Sequence, residues 1–251
     1  MRKLFLLSLG ALFFSMNASA AAGSNGGTNT NETSRVIDTP TTGMIDYGGY
    51  SLDFRLFSQG GLLTRLDFGV FKIVNLGFGW ELSKVIGTEN ITVGPPALFI
   101  KLRPFEGGAV LPAFAIGYDG QGNFFDKTAN EFIQKEKGIF VVFGREVFTP
   151  GMDFNVGANM NDFKKNTVFG FTNLTYNVED KAAFLAEWDK INYIPDSFVN
   201  LGVRMFVTDS LSIDVAGRDI GASSQTVDPV TQIVTARKPE RIVKISYTGR
   251  F

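Results

Sequence analysis

The feature that most constrains the fold is an alternation of apolar and polar residues, which dominates the chain from residue 43 onward. In YSLDFRL, residues 50–56, the even positions are apolar or aromatic and the odd positions are Ser, Asp and Arg. The same split recurs in residues 75–83, 152–161 and 182–189. A period of two puts alternate side chains on opposite faces of a strand, so it predicts sheets with one apolar and one polar face. A soluble β-sandwich shares this pattern, and parity alone leaves a sandwich and a membrane barrel open.

Strand length and loop length favour the membrane barrel. The alternating segments run to about ten residues, close to the 9–11 that cross a bilayer at a tilt. Tight connections alternate with long ones at residues 85–94, 120–137 and 220–239, a pattern typical of outer-membrane barrels with periplasmic termini. We therefore predict an all-β fold, a closed antiparallel transmembrane β-barrel of about 12 strands, with roughly 10–14 allowed. Aromatic residues near strand ends fit its interfacial girdles: Tyr50, Trp80, Tyr118, Trp188, Tyr247 and Phe251.

Residues 1–20 have the parts of a secretory signal peptide. A basic start and an apolar stretch at 4–14 precede the small-residue cleavage site Ala18-Ser19-Ala20. Residues 21–42 are rich in Gly, Asn, Thr and Ser and poor in apolar residues, so we predict a flexible periplasmic lead-in there. Residues 43–251 are then the outer-membrane β-barrel. This organisation places the protein in the cell outer membrane of a Gram-negative bacterium, exported through a cleaved signal peptide.

The end of the sequence, ISYTGRF at residues 245–251, continues the alternation up to Phe251. A closed barrel must pair its last strand with its first, because an unpaired edge in hydrocarbon leaves backbone polar groups unsatisfied. We therefore predict that residues 240–251 form the strand that closes the barrel. The final Phe resembles the C-terminal signal that the barrel-assembly machinery recognises, so this machinery and outer-membrane lipid are predicted partners.

Residue types that the chain lacks exclude several functions. It contains 0 Cys, which excludes a disulfide framework, and 0 His, which excludes Ser-His and Cys-His nucleophilic sites and His-ligated metals. A formal net charge of -1 argues against a polybasic nucleic-acid surface. Glu187 and Asp189 share one face of a predicted strand, as paired glycosidase carboxylates can, but ion pairing inside a barrel is the simpler interpretation. We predict no enzyme activity, no cofactor, no metal and no nucleic-acid partner.

Charged residues of both signs are predicted to line the lumen. Because the signs nearly balance, we expect ion pairs to cross-link the lumen and to leave no strong single-sign field. Many of these side chains are long, and a barrel of about 12 strands has a limited interior, so we expect a narrow or blocked lumen. The stretch GYDGQG at residues 117–122 has two interpretations, a Gly-rich strand end or a carbohydrate-contacting lip of Tyr118, Asp119 and Gln121. The lumen-lining candidates are Arg55, Arg65, Asp67, Glu81, Lys101, Arg103, Asp119, Glu187, Asp189 and Arg204.

Three short motifs resemble a known family. DTPTTGM at residues 38–44, PPAL at 95–98 and LPAFAIGYD at 111–119 are similar to the YjbH-like outer-membrane proteins associated with exopolysaccharide production. The resemblance covers mainly residues 38–122. It implies an outer-membrane barrel with a role near polysaccharide export, although family members can be far longer than this chain.

These observations lead to three hypotheses for function. The leading one is a non-enzymatic outer-membrane barrel that assists exopolysaccharide export or surface assembly, with polysaccharide and other export proteins as partners. The alternative is a general small-solute outer-membrane channel. A third, an outer-membrane lipase, protease or acyltransferase, is disfavoured because familiar members of that class use His and this chain has none.

Overall fold

The structure, a computed structural model, describes most of the chain after residue 32. The described residues are 33–88, 90–108, 110–128, 130–135, 137–161, 163, 167–194, 197–221, 225–227, 234–236 and 239–251. The predicted signal peptide and the part of the predicted lead-in at residues 21–32 lie outside them. Within the described ranges, no helix has the length and apolar character needed to cross a bilayer.

The described residues form 17 β-strands and one short 3-10 turn at Ser58–Gly60. In chain order the strands are β1 (Gly49–Phe57), β2 (Gly61–Phe71), β3 (Val74–Ser83), β4 (Thr92–Val93), β5 (Ala97–Phe105), β6 (Ala113–Asp119), β7 (Gly122–Asp126), β8 (Glu131–Lys135), β9 (Gly138–Glu146), β10 (Met152–Met160), β11 (Phe169–Val178), β12 (Ala182–Asp189), β13 (Phe198–Phe206), β14 (Leu211–Ile220), β15 (Gln225–Val227), β16 (Val234–Ala236) and β17 (Glu240–Arg250).

Twelve of these strands close into one antiparallel barrel, which confirms the predicted fold. The seam joins β1 to β17, in a register that runs from Gly49 opposite Arg250 to Leu56 opposite Val243. The prediction that the segment starting at residue 240 closes the barrel is therefore confirmed. Closure gives each of these strands a partner on both sides, as a sheet in hydrocarbon requires. The barrel strands are β1, β2, β3, β5, β6, β9 to β14 and β17.

The two rims of the barrel carry connections of different length. The described residues of the short-turn rim are 72–73, 106–108, 110–112, 147–151, 179–181 and 207–210. The described residues of the long-loop rim are 58–60, 84–88, 90–96, 120–128, 130–135, 137, 161, 163, 167–168, 190–194, 197, 221, 225–227, 234–236 and 239. Two of the predicted long loops contain hairpins of their own, β7 with β8 and β15 with β16. In outer-membrane barrels the short turns face the periplasm and the long loops face outside.

Side chains alternate between a filled interior and an apolar exterior. Along β9, Phe140 and Val142 are buried, whereas Ile139 and Phe143 are each 42% exposed. An apolar exterior belt of this kind is the surface that a barrel presents to lipid, and the predicted girdle residues Trp80, Trp188 and Tyr247 belong to it. Other exposed members are Phe54, Leu56, Leu98, Ile116, Phe184, Leu201, Val203, Val215 and Ile245.

Interior glycines make room for large inward side chains. Gly157 lies opposite Phe171 on the neighbouring strand, and a Cβ at Gly157 would lie 2.3 Å from the Phe171 ring. Gly77 lies opposite Asp67, and a Cβ at Gly77 would lie 1.8 Å from the Asp67 carboxylate. Glycine inside a strand often marks such a close approach. These pairs show that the interior is packed with side chains from the wall.

Candidate functional site in the barrel lumen

A hairpin formed by residues 33–45, named here the lumen hairpin, lies inside the barrel. Arg35 and Pro40 pair in an isolated antiparallel bridge, which brings its two arms together. At the tip, the Val36 N–H donates to the Thr39 carbonyl at 3.0 Å. Val36 and Thr39 are 0% exposed, so the tip is enclosed by the wall.

This placement differs from the predicted lead-in. Composition led to a flexible periplasmic segment at residues 21–42, but its described part, residues 33–42, lies inside the barrel. The barrel was predicted to begin at residue 43, whereas the first strand begins at Gly49. A polar segment can be buried when partners satisfy its hydrogen bonds, and the wall of this barrel supplies them.

The lumen hairpin bonds to wall residues on all sides of the bore. It therefore lies across the lumen and obstructs it. The wall partners come from β1, β3, β5, β6 and β10 to β14, and include Arg55, Asn75, Lys101, Asp119, Asn155, Asn173, Glu187, Asn200 and Arg218.

Asp38 binds a cluster of three wall residues, named here the carboxylate site. Arg55 Nη1 donates to Asp38 Oδ1 at 2.8 Å, Arg218 Nε donates to Oδ2, and Asn200 Nδ2 donates to Oδ2 at 3.3 Å. All three wall side chains are buried. Burial alone would raise the pKa of Asp38, but the Arg218 and Arg55 guanidiniums favour the charged form and hold this pKa well below its usual range.

Glu187 makes the opposite connection, from a wall carboxylate to the hairpin backbone. The N–H groups of Ile37, Asp38 and Thr39 donate to Glu187 Oε1 at 2.7, 2.9 and 2.8 Å. Successive N–H groups that converge on one anion form a nest. Asn200 Nδ2 also donates to Glu187 Oε2 at 2.8 Å, so Asn200 contacts both carboxylates. The tip and the wall are thus interlocked by two carboxylates, one from each.

An apolar contact adds to this interlock. Val36 and Ile37 belong to one buried cluster with residues of the barrel wall. Burial of a side chain of this size contributes roughly 1.5–3 kcal/mol. The wall members of the cluster are Phe57, Leu63, Ala183, Leu185, Ala216 and Ile242.

A second element covers the hairpin on the side of the long-loop rim. Residues 120–126, named here the mouth loop, fold inward, and Asn123 is 0% exposed. The Glu81 carboxylate accepts the N–H groups of Phe124 and Phe125 at 2.8 and 3.1 Å. Glu81 thereby fastens the mouth loop to the wall.

The structure places the predicted lumen residues in the interior, where ion pairs connect several of them. Arg65 donates to Asp67 at 2.7 Å and to Asp119 at 3.0 Å, and thereby links β2 to β6. Arg204 donates to both oxygens of Asp214 at 2.7 and 2.8 Å. The fully or almost fully buried candidates are Arg55, Arg65, Asp67, Glu81, Lys101, Asp119, Glu187, Asp189 and Arg204, while Arg103 is only partly buried.

Glu187 and Asp189 have separate partners. Glu187 binds the hairpin tip, whereas Asp189 forms an ion pair with Lys137. Both carboxylates are therefore engaged in holding the interior together. Across the described ranges, no group of three or more Cys, His, Asp and Glu residues is arranged to hold a metal ion.

The predicted carbohydrate-contacting residues do not share one surface. Asp119 and Gln121 are 4% and 2% exposed, and the Gln121 N–H donates to Asp119 Oδ1 at 3.1 Å inside the barrel. Tyr118 follows Ile116 on the outward face of β6, because adjacent strand residues point to opposite faces. The alternative interpretation, a strand end, agrees with the end of β6 at Asp119.

The sequence interpretation missed a row of inward amides. Asn155 lies opposite Asn173, Asn173 lies opposite Glu187, and Glu187 lies opposite Asn200 on successive strands. Each Asn is buried, and all three contact the lumen hairpin. They occupy the polar positions of their alternating segments, which was the signal available. The lumen prediction considered only charged residues, so it included Glu187 and left out its neutral neighbours.

Comparisons with known proteins give only distant likenesses. No protein-family model matches the chain, and no curated protein matches it. Among solved structures, the NanC porin is similar at 9% identity and a TM-score of 0.43, over 80% of this chain and 99% of that chain. Salmonella typhi OmpF in complex with daunomycin is similar at 9% identity and a TM-score of 0.28, over 80% of this chain and 96% of that chain. The barrel fold is therefore established by the strand pairing of the chain itself.

Proposed function

We propose that the protein is an outer-membrane channel for small polar solutes that is closed by its own lumen hairpin. The observation that supports this proposal is the polar interlock at the tip, where Asp38 binds the wall and Glu187 binds the hairpin. Water and polar solutes can replace such contacts when the hairpin withdraws. A hairpin held mainly by apolar packing would expose a dry surface instead.

The size and lining of the barrel interior favour small polar solutes. A barrel of twelve strands has a limited interior, so withdrawal of the hairpin would give a narrow passage. That passage would be lined by the ends of charged and amide side chains, including Arg55, Lys101, Asn173 and Glu187. A narrow, polar lining favours small solutes that form hydrogen bonds.

The hairpin has a short connection on which it can move. Residues 46–48 join it to β1 at the short-turn rim, where the Gly48 N–H donates to the Gly69 carbonyl at 2.9 Å. The Asn75 side-chain amide accepts the Ile45 N–H at 3.1 Å and donates to the Ile45 carbonyl at 2.9 Å. Withdrawal toward the short-turn rim would therefore pivot near Ile45 and leave the barrel strands paired.

The role in exopolysaccharide export or assembly stays a prediction, as do the polysaccharide, export-protein and assembly-machinery partners. They depend on the YjbH resemblance and on the final Phe251. The lumen geometry supports the small-solute channel more directly, because the obstruction and its polar contacts are features of the barrel itself.

A crosslink across the tip tests whether the hairpin gates a current. The chain contains 0 Cys, so two introduced cysteines are its only thiols. Asn173 Nδ2 donates to Thr39 Oγ1 at 2.9 Å, which makes Thr39→Cys with Asn173→Cys a suitable pair. In planar bilayers we expect the reduced double variant to open in steps, and a short bifunctional thiol reagent to silence it.

The controls separate a closed gate from a misfolded barrel. Each single-cysteine variant, treated with the same reagent, should continue to open. Heat-dependent gel mobility establishes that every preparation is a closed barrel before its current is measured. If neither the reduced cysteine pair nor an Asp38→Asn, Glu187→Gln double variant carries current, the channel function is refuted.

A further inference from the structure

We infer that the carboxylate site is a binding site for the carboxylate of the transported solute, and that the solute and Asp38 compete for it. This inference rests on the proposed channel function and adds the class of solute, small organic monoacids. Asp38 then acts as an internal substitute that occupies the site while the hairpin is in the lumen.

The donors of the site all belong to the barrel wall. Its donors come from three strands, with Arg55 on β1, Arg218 on β14 and Asn200 on β13. Arg218 Nη1 also binds Glu240 on β17 at 2.5 Å, which orients the guanidinium and leaves Nε for the Asp38 carboxylate. Guanidinium groups bind carboxylates with strong, directional hydrogen bonds.

Withdrawal of the hairpin leaves a position for another anion. Arg55 and Arg218 both lose the Asp38 carboxylate when the tip leaves, while Arg218 keeps its pair with Glu240. Water can solvate the two guanidiniums in the open lumen, but a carboxylate binds them more strongly because its hydrogen bonds are charge-assisted. A solute carboxylate can therefore bind both guanidiniums as Asp38 does, whereas a neutral solute cannot.

Glu187 lies next to the carboxylate site and limits the charge of the ligand. Asn200 contacts Asp38 and Glu187 at once, so a carboxylate in place of Asp38 would lie close to Glu187. A second negative group on the solute would be repelled by Glu187. A single carboxylate therefore fits this position better than a diacid does.

Competition couples the solute to opening. A ligand that binds only the state with the hairpin withdrawn shifts the protein toward that state by mass action. An acid that enters the lumen would thus stabilise the open state through which it passes. A neutral sugar of the same size would not.

Labelling of a buried cysteine at the tip measures this competition. Val36→Cys places the only thiol of the chain at a position that is 0% exposed, where a water-soluble thiosulfonate reaches it only after withdrawal. The probe is sodium glucuronate, and the comparison is glucose at equal ionic strength. We expect glucuronate to raise the labelling rate roughly tenfold, within the usual range of effector coupling, and glucose to leave it unchanged.

Two arginine variants locate the effect. Arg55→Gln should remove the glucuronate dependence, because it removes one of the two cations of the site. Arg145→Gln is the matched control, since Arg145 follows the exposed Phe143 on the outward face of β9. It should keep the glucuronate response.

The outcomes distinguish this inference from the channel function. If glucuronate and glucose give the same labelling rate, or if Arg55→Gln keeps the response, the carboxylate inference is overturned. If Asp38→Asn carries current in potassium chloride but no variant responds to glucuronate, the channel stands and the inference falls. Labelling that responds to glucuronate without current from any variant overturns the channel, and with it the claim that the bound acid is transported.

Discussion

Thr39 and Glu187 are joined twice, because Glu187 Oε1 accepts the Thr39 N–H at 2.8 Å and the Thr39 hydroxyl at 2.7 Å. The two residues lie 148 positions apart in the sequence, one on the hairpin tip and one on β12. A contact of this kind exists only while the hairpin is in the lumen. Its loss therefore reports opening directly.

Glu187→Gln is expected to loosen the hairpin. Gln keeps the size of the side chain but replaces a carboxylate that accepts N–H groups with a neutral amide. Loss of hydrogen bonds to a charged group costs roughly 1.5–3 kcal/mol, so the open fraction should rise about 10- to 100-fold. Opening frequency in planar bilayers measures the change. Glu146→Gln, at an exposed position that accepts the Gly151 N–H, is the matched control.

Acid is expected to release the tip only below the ordinary carboxyl range. Because the pKa of Asp38 is lowered by Arg218 and Arg55, its ion pairs stabilise the closed state fully above the pKa of the withdrawn residue. That stabilisation is lost as the pH falls from roughly 4, the ordinary Asp value, through the lower pKa of the closed state. Opening frequency should rise as the pH falls below this point.

Asp38→Asn provides the control for this pH dependence. It should open more often at neutral pH and lose the acid step that Asp38 causes. Glu187 also faces Asp38, so a Glu187→Gln measurement shows whether any acid response remains from that residue. A wild-type opening frequency that changes mainly near neutral pH would contradict the assignment to Asp38.

Glu81→Gln should free the mouth loop without opening the barrel. The Glu81 carboxylate holds the N–H groups of Phe124 and Phe125, and the amide of Gln would bind them more weakly. We expect faster proteolysis within residues 120–126, measured on the refolded protein, and an unchanged opening frequency. A large increase in opening would show that the mouth loop, and not the lumen hairpin, closes the passage.

Gly157→Ala is expected to destabilise the barrel. A Cβ at this position would lie 2.3 Å from the Phe171 ring, so the ring or the strand must shift. Overpacking of this kind costs roughly 1–3 kcal/mol, which should lower the temperature at which gel mobility changes. Gly108→Ala is the control, because a Cβ there meets nothing within 4 Å. Equal stability of the two variants would contradict the packing role of Gly157.

The barrel could be predicted because the patterns that specify it lie within single strands and single connections. Alternation assigns each side chain to a face, and the lengths of the connections separate the two rims. The same rule places Tyr118 and Asp119 on opposite faces, so strict parity excludes the lip that their closeness in sequence suggested. The inward rings of Phe99, Phe140 and Phe171 follow parity as well, although they are apolar.

The lumen hairpin could not be predicted from local pattern. Its sequence is polar, and only Val36 and Ile37 form an apolar pair near its tip. Its burial depends on partners such as Asn173 and Glu187, which lie far along the chain. Composition predicts how a segment behaves in water, whereas the polar groups of this segment form their hydrogen bonds with the barrel wall.

The connection at residues 46–48 makes closure an intramolecular reaction. A hairpin that leaves the lumen stays attached to β1, so its local concentration at the short-turn rim is on the order of millimolar. Reclosure should then follow first-order kinetics that are independent of protein concentration. A free peptide with the sequence of residues 33–45 would need a comparable concentration to block an open barrel, and the attached hairpin would regain its place first.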